Sequence, residues 1–303
     1  MSARVAILVG LLLIPPLGAA ADATSHPLLE FARQREQSRE RSDRSIASRS
    51  DLLEAQHALD QGHVPPEADC ARSLGAQRYA DLYTTLAATK ASLGDLAGAA
   101  AAYRSAHACR PRDANILAAL GGVLFDARDY AAARAAVDAA LAIDPRSVST
   151  TRLAANIAFV DERWADAVSY FRYVASSDPD RVTAAYAQLM FWLAQARAGM
   201  PHPEYVTRAP NDGWPQPLLL YLVGEYTEPE LVARVIEGDD DSNEQPNTST
   251  DERLCEALFY VGEAYWARGD RDTARNYFAA LVNLRVLYFL EHGLALAEIA
   301  KLR

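Results

Sequence analysis

Cysteine, methionine and tryptophan are scarce, at three, three and four in 303 residues. Three cysteines allow at most one disulfide within the chain and leave one thiol over. The first of them is Cys70, so no lipid-accepting cysteine stands near the amino terminus. Positive charge is in deficit, with 30 basic against 40 acidic residues and a formal net charge of -10. Such a surface repels phosphate backbones and anionic lipid, which makes nucleic acid and membrane surfaces poor candidate partners. The charge is uneven: residues 32–50 hold six Arg against three acids, and residues 225–252 hold ten acids against one Arg. Both stretches read as solvated surface. Histidines fall at 26, 57, 63, 107, 202 and 292, with no i, i+4 pair suited to zinc. The acidic run Asp239–Asp241 lacks the alternating acids and distal Glu of a calcium loop. No nucleophile elbow, phosphate loop or dinucleotide glycine pattern occurs, so neither catalysis, a metal nor a cofactor is expected.

Long apolar runs are missing too. The stretch from Val5 to Ile14 spans ten residues, about half of what a bilayer-crossing helix needs. It follows a single Arg and precedes a Pro-Pro break and the small residues Ala19–Ala21, the layout of a cleavable export signal over residues 1–23. Cuts after Ala21 or Ala23 fit; a retained anchor is the alternative. The expectation is a soluble, non-lipidated, exported (periplasmic or secreted) protein without membrane insertion.

What the chain does have is alanine, in blocks such as "DLAGAAAAYRSAHA" and "DYAAARAAVDAALA", and alanine loses least on entering a helix. Proline recurs on a beat of 34 residues, at Pro111, Pro145 and Pro179. Rows of 34 starting at residue 80 align three further columns. The eighth place holds Ala87, Gly121 and Ala155; the twentieth, Ala99, Ala133 and Ala167; the twenty-fourth, Tyr103, Val137 and Phe171. This is the tetratricopeptide pattern of antiparallel helix pairs. Small residues stand where paired helices cross, a bulky one fills the seam to the next repeat, and the proline ends the second helix. A fourth copy begins at Cys255, with Gly262, Ala274 and Phe278 in the same places and Gly269 at its turn. The fold expected is all-α, a solenoid of helical hairpins.

The organisation read from these signals is a signal over 1–23, non-repeat helices within 24–79, three repeats over 80–181, a divergent helical segment with an acidic loop over 182–254, and a last repeat with a closing helix over 255–303. Within the divergent part, 182–198 reads as a helix stopped by Gly199 and Pro201, and 216–223 as a short one. "TEPE" at 227–230 reads as a capping box.

Stacked hairpins present their first helices along a groove that holds segments of other proteins. The places that face it give Asp81, Thr84, Asn115, Phe125, Asp126, Arg152, Asn156 and Phe159 in the three tandem repeats, and Glu256, Phe259, Glu263 and Trp266 in the last copy. The polar members suit hydrogen bonds to a partner's backbone. The aromatic ones either anchor a partner or pack against neighbouring helices. Thr84 and Ala88 stand where a carboxylate-gripping Lys and Asn would be needed, which argues against capture of a bare C-terminus. Cys70 precedes the first helix of repeat one and Cys109 ends its second, so an antiparallel pair brings them together as a disulfide candidate. Cys255 is then a small buried residue.

The C-terminal third, "WPQPLLLYLVGEYTEPEL" followed by "ERLCEALFYVGEAYWARGDRDTARNYF" and "FLEHGLALAEI", resembles the corresponding run of the new lipoprotein I family, bacterial envelope proteins with tetratricopeptide repeats. That resemblance implies a homodimeric, periplasm-facing adaptor for peptidoglycan hydrolases and a processing protease. The missing lipid-accepting Cys sets this chain apart. The alternative is a structural subunit of an envelope machine for secretion or polysaccharide export.

Overall fold

In this computed structural model the described residues are 26–38, 57, 70, 75–200, 213–237, 250–285 and 289–302, and every regular element among them is a helix. The expected signal over 1–23, most of the stretch 39–74, residues 201–212 and the acidic stretch at 238–249 lie outside the described residues. The chain divides into two compact units, Arg39–Ala194, and Gln195–Arg303 together with Met1–Ser38.

The first of these is built from α2 (Ala76–Ser92), α3 (Leu96–Cys109), α4 (Ala114–Asp126), α5 (Tyr130–Ile143), α6 (Val148–Val160), α7 (Trp164–Ser177) and most of α8 (Arg181–Arg197). They pair as α2/α3, α4/α5 and α6/α7, and each second helix packs on the first helix of the next pair. This is the tetratricopeptide hairpin stack. Each proline of the 34-residue beat stands two residues beyond the end of a second helix, where its missing N–H interrupts no ladder.

The columns have mechanical work. Ala87, Ala155, Ala99, Ala133 and Ala167 are fully buried where paired helices cross. A methyl added at Gly121 would sit 2.6 Å from Val137 Cγ2. Tyr103, Val137 and Phe171 are buried in the seams, each worth roughly 1.5–3 kcal/mol of removal from water. A further column, at the sixteenth place, supplies helix caps. Asp95 accepts from Gly98 N, Asp129 from Ala132 N, and Asp270 of the last copy from Thr273 N. Arg163 holds that place in the third repeat and makes no side-chain cap. Just before it, Gly94 and Gly269 turn the chain at φ 82° and 86°, a left-handed step that Arg128 and Glu162 also take, at 62° and 57°.

Cys70 and Cys109 are joined by a disulfide within this unit, with Cα atoms 4.5 Å apart. Cys255 is a buried free thiol.

The other unit comprises α1 (Pro27–Ser38), the last residues of α8, α9 (Gln216–Leu222), α10 (Glu228–Glu237), α11 (Thr250–Ala267), α12 (Arg271–Asn283) and α13 (Leu290–Lys301). Helices α11 and α12 form its hairpin, with Ala274 and Phe278 buried and Gly262 lying under the Phe278 ring. Helix α13 closes the hairpin. In the "TEPE" box the Glu230 carboxylate accepts from both Thr227 N (2.6 Å) and the Thr227 hydroxyl (2.7 Å).

Helix α1 packs against α10, α11 and α12 through Leu28, Leu29 and Ala32. Its amino end meets a carboxylate: Glu228 Oε1 accepts from Leu28 N at 2.8 Å and from the Tyr277 hydroxyl at 2.7 Å. An anion at a helix amino terminus is favourably placed for its dipole and open N–H groups. The His26 ring stands edge-on to Tyr265 and Tyr277, which stack on each other at 5.4 Å. Arg35 pairs with Asp251 at 2.7 Å.

Candidate protein-interaction surface

The twelve residues expected to face a groove separate by environment. In the tandem repeats, Asp81 on α2, Asn115 and Asp126 on α4, and Arg152 on α6 are exposed, and Thr84 is half-buried. Regular spacing along successive first helices puts them there, because each repeat sets its first helix in the same attitude. Asp81 pairs with Arg110 at 2.9 Å, which links the first helix of repeat one to the end of its second. Beside these polar residues the helices carry little bulk. Ala88 is exposed, and a methyl built on Gly122 would meet nothing within 4 Å.

The aromatic members do not stand open. Phe125 is buried edge-on to Tyr130, with ring centres 5.4 Å apart. Phe159 is fully buried edge-on to Trp164 at 5.3 Å. Each therefore closes the turn between the two helices of its own repeat. Of the two arrangements left open for these rings, packing within the fold is the one present. Asn156 is buried as well.

In the last copy the corresponding face is covered by the unit's own residues. Glu256, Phe259 and Glu263 are buried. The Trp214 indole N–H donates to Glu256 Oε2 at 2.5 Å. Arg197, with 4% of its side chain exposed, donates to Glu263 Oε2 at 2.5 Å and to Glu298 Oε2 at 3.1 Å. Trp266 is half-buried, with the Arg197 guanidinium 4.2 Å above its ring and Phe278 on its flank. Phe259 packs against Tyr260 and Phe278. A position expected to face a groove is thus buried here by segments outside the repeat.

Burial gives this part unusual electrostatics. Glu263 is pushed up to about 8 by burial, against the opposing pull of Arg197. Glu291, on α13, is pushed up to about 7, again by burial. The Tyr277 hydroxyl is raised far above its ordinary value by burial and then by the Glu228 charge. Arg197, Trp214 and Glu298 carry this arrangement, and none falls in a repeat column. The sequence signals near them are the helix-ending position of Arg197 and the apolar run Leu218–Leu222 that follows Trp214.

Among the described residues, no group of three or more His, Cys, Asp or Glu is placed to hold a metal ion, and no helix is long and apolar enough to cross a membrane.

No family model matches the chain. Its fold is similar to three solved structures. The MamA protein is 15% identical, with a TM-score of 0.40 covering 69% of this chain and 92% of that one. Pseudomonas aeruginosa pilF is 21% identical, with a TM-score of 0.44 over 72% of this chain and 96% of that one. YrrB, a TPR protein with an unusual peptide-binding site, is 18% identical, with a TM-score of 0.39 over 76% of this chain and 97% of that one. At these identities the likeness is one of fold, and the tetratricopeptide architecture of the present chain rests on its own hairpins and 34-residue period.

Proposed function

We propose that this chain is a non-catalytic scaffold that binds segments of other proteins along the first helices of its three tandem hairpins. The observation that carries the reading is the row of exposed Asp81, Asn115, Asp126 and Arg152, interleaved with the open positions Ala88 and Gly122. Polar groups at a regular step suit hydrogen bonding to an extended or helical backbone. Small residues between them let that backbone approach closely. Of the groove set, these positions and Thr84 stand ready. Trp266 belongs to it only at its exposed edge.

The setting we propose is the cell envelope of a bacterium, in the periplasm. The leader-like residues 1–23 support export, and a disulfide is at home in an oxidising compartment. The resemblance of the C-terminal third to new lipoprotein I supports envelope enzymes, peptidoglycan hydrolases or a protease, as the partners, and a homodimer as the working form.

Affinity capture from an envelope extract tests this. The wild-type protein should retain several substoichiometric proteins, identified by mass spectrometry. A variant carrying Asp81→Arg, Asn115→Arg and Asp126→Arg should lose them by tenfold or more with unchanged helicity. Equal capture by the variant would refute the assigned face. A single stoichiometric complex would instead mark a fixed subunit of a larger machine.

A further inference from the structure

The last turn of α4 carries a charge that its own fold does not need. Asp126 ends that helix, where the dipole and the open carbonyls are negative, and the turn holds no basic residue. A carboxylate has the wrong sign there. Neighbouring atoms also strip part of its water, and this desolvation pushes the carboxyl above its ordinary value. Nothing offsets these costs. Asp126 makes no ion pair or side-chain hydrogen bond with another described residue; Arg128, two residues on, and Arg152 on α6 both leave it unpaired. The equivalent thirteenth places of the other tandem repeats hold Ser92 and Val160, so the hairpin architecture does not require an acid here.

The space beside this carboxylate is open. Gly122 lies one turn earlier on the same face, and a methyl built there meets nothing within 4 Å. Further along α4 come the small Ala118 and Ala119, and then the exposed Asn115. On α6, which packs against α4, the ninth place that Gly122 fills in its own repeat holds Asn156. Asn156 is 5% exposed, and its side-chain amide hydrogen-bonds no other described residue. A buried amide without a protein partner marks a place that a ligand or water completes.

We infer that the segment held by the tandem hairpins carries a lysine or arginine, its stem in the Gly122 notch and its charge on Asp126, so that this contact selects basic segments. The inference rests on the binding face proposed above. Lys and Arg suit both halves of the site, because the aliphatic stem covers small apolar groups while the charged head stays near water. A cation at this point answers the carboxylate and the negative end of the helix together. The formal net charge of -10 draws such segments in the same direction. A local rule broken without compensation inside the fold is where function is expected.

Selection of random dodecapeptides displayed on phage, with the full chain as bait, tests this. The wild type should enrich Lys and Arg over Asp and Glu. Asp126→Asn should flatten that preference, and Asp126→Lys should reverse it. Asp138→Lys, at an exposed position of α5, changes the net charge equally and should leave the preference as it is. A reversal there too would assign the preference to net charge and overturn the inference. For a selected peptide with a single basic residue, replacing that residue by Ala should weaken binding about threefold or more on the wild type and leave it level on Asp126→Asn. Peptides that Gly122→Leu displaces but that show no charge preference would overturn the inference and keep the face. Peptides indifferent to Gly122→Leu, or none selected, would remove the face and the inference with it. Asp126→Lys should also unfold at a higher urea concentration than the wild type; a lower midpoint would show the carboxylate serving the fold, and would overturn the inference.

Discussion

Two adjacent glycines in α4 allow a crossing term to be measured separately from helix propensity. Either one, replaced by alanine inside a helix, gains about 1 kcal/mol from propensity. Their surroundings differ. A methyl on Gly122 meets nothing within 4 Å, whereas one on Gly121 stands 2.6 Å from Val137 Cγ2, 3.4 Å from the Ala133 carbonyl and 3.5 Å from Leu153 Cδ2. Valine is stiff at χ1 and fully buried here, so it has nowhere to turn. Overpacking of this kind costs about 1–3 kcal/mol. Gly122→Ala should therefore stabilise by about 1 kcal/mol, while Gly121→Ala ranges from neutral to about 2 kcal/mol destabilising. Because propensity cancels between them, the gap of roughly 1–3 kcal/mol reports the crossing alone. Urea unfolding followed by far-UV circular dichroism gives both values from the midpoint shift at constant slope. Equal effects from the two substitutions would refute the close approach of α4 and α5, and with it the reason given for small residues at the eighth place.

Arg197→Met leaves Glu263 buried without its cation, Glu298 keeping Lys301 at 2.8 Å, and should cost about 3–5 kcal/mol, read as a fall in the midpoint of urea unfolding. Cys109→Ser opens a loop set by a sequence separation of 39 and should cost about 4 kcal/mol on the chain-entropy model, an effect that reductant should reproduce in the wild type and not in the variant. Asp129→Ala removes the cap on α5 and should cost about 1 kcal/mol; Arg163→Asn, which introduces the missing cap of α7, should recover a similar amount. Gly122→Leu fills open space on the proposed binding face, so it should leave the melting temperature within a few degrees and weaken partner capture; intact capture would move the site elsewhere.

The repeating part of the molecule was legible because its constraints are local. Pro145, Ala133 and Val137 each answer to one neighbouring helix a fixed number of residues away, and a 34-residue period records that relation directly. The short helix at 216–222 and the closing helix announced themselves by apolar runs and bounding turns. The inner face of the last hairpin was legible only in half. The repeat column groups Glu256 with Glu263 on α11, yet what meets them is Trp214 and Arg197, which no periodicity connects to them. Likewise Phe125 and Phe159 fall at places expected to face a groove, and their rings pack on Tyr130 and Trp164 because those residues open the second helix of the same repeat. The caps at Asp95, Asp129 and Asp270 form a column of their own at the sixteenth place, polar where the other columns are apolar, and broken only by Arg163.

The docking of α1 on α10–α12 joins residues some 250 positions apart, as the His26 and Tyr277 pair shows. For a chain that emerges amino end first, this imposes a timetable. The tandem hairpins, whose neighbours are near in sequence, can condense as soon as they appear. Helix α1 must wait, its Leu28 and Leu29 uncovered, until the last hairpin has arrived. A shortened chain that stops before Tyr277 would thus keep its tandem hairpins and leave Leu28 and Leu29 without the surface that covers them.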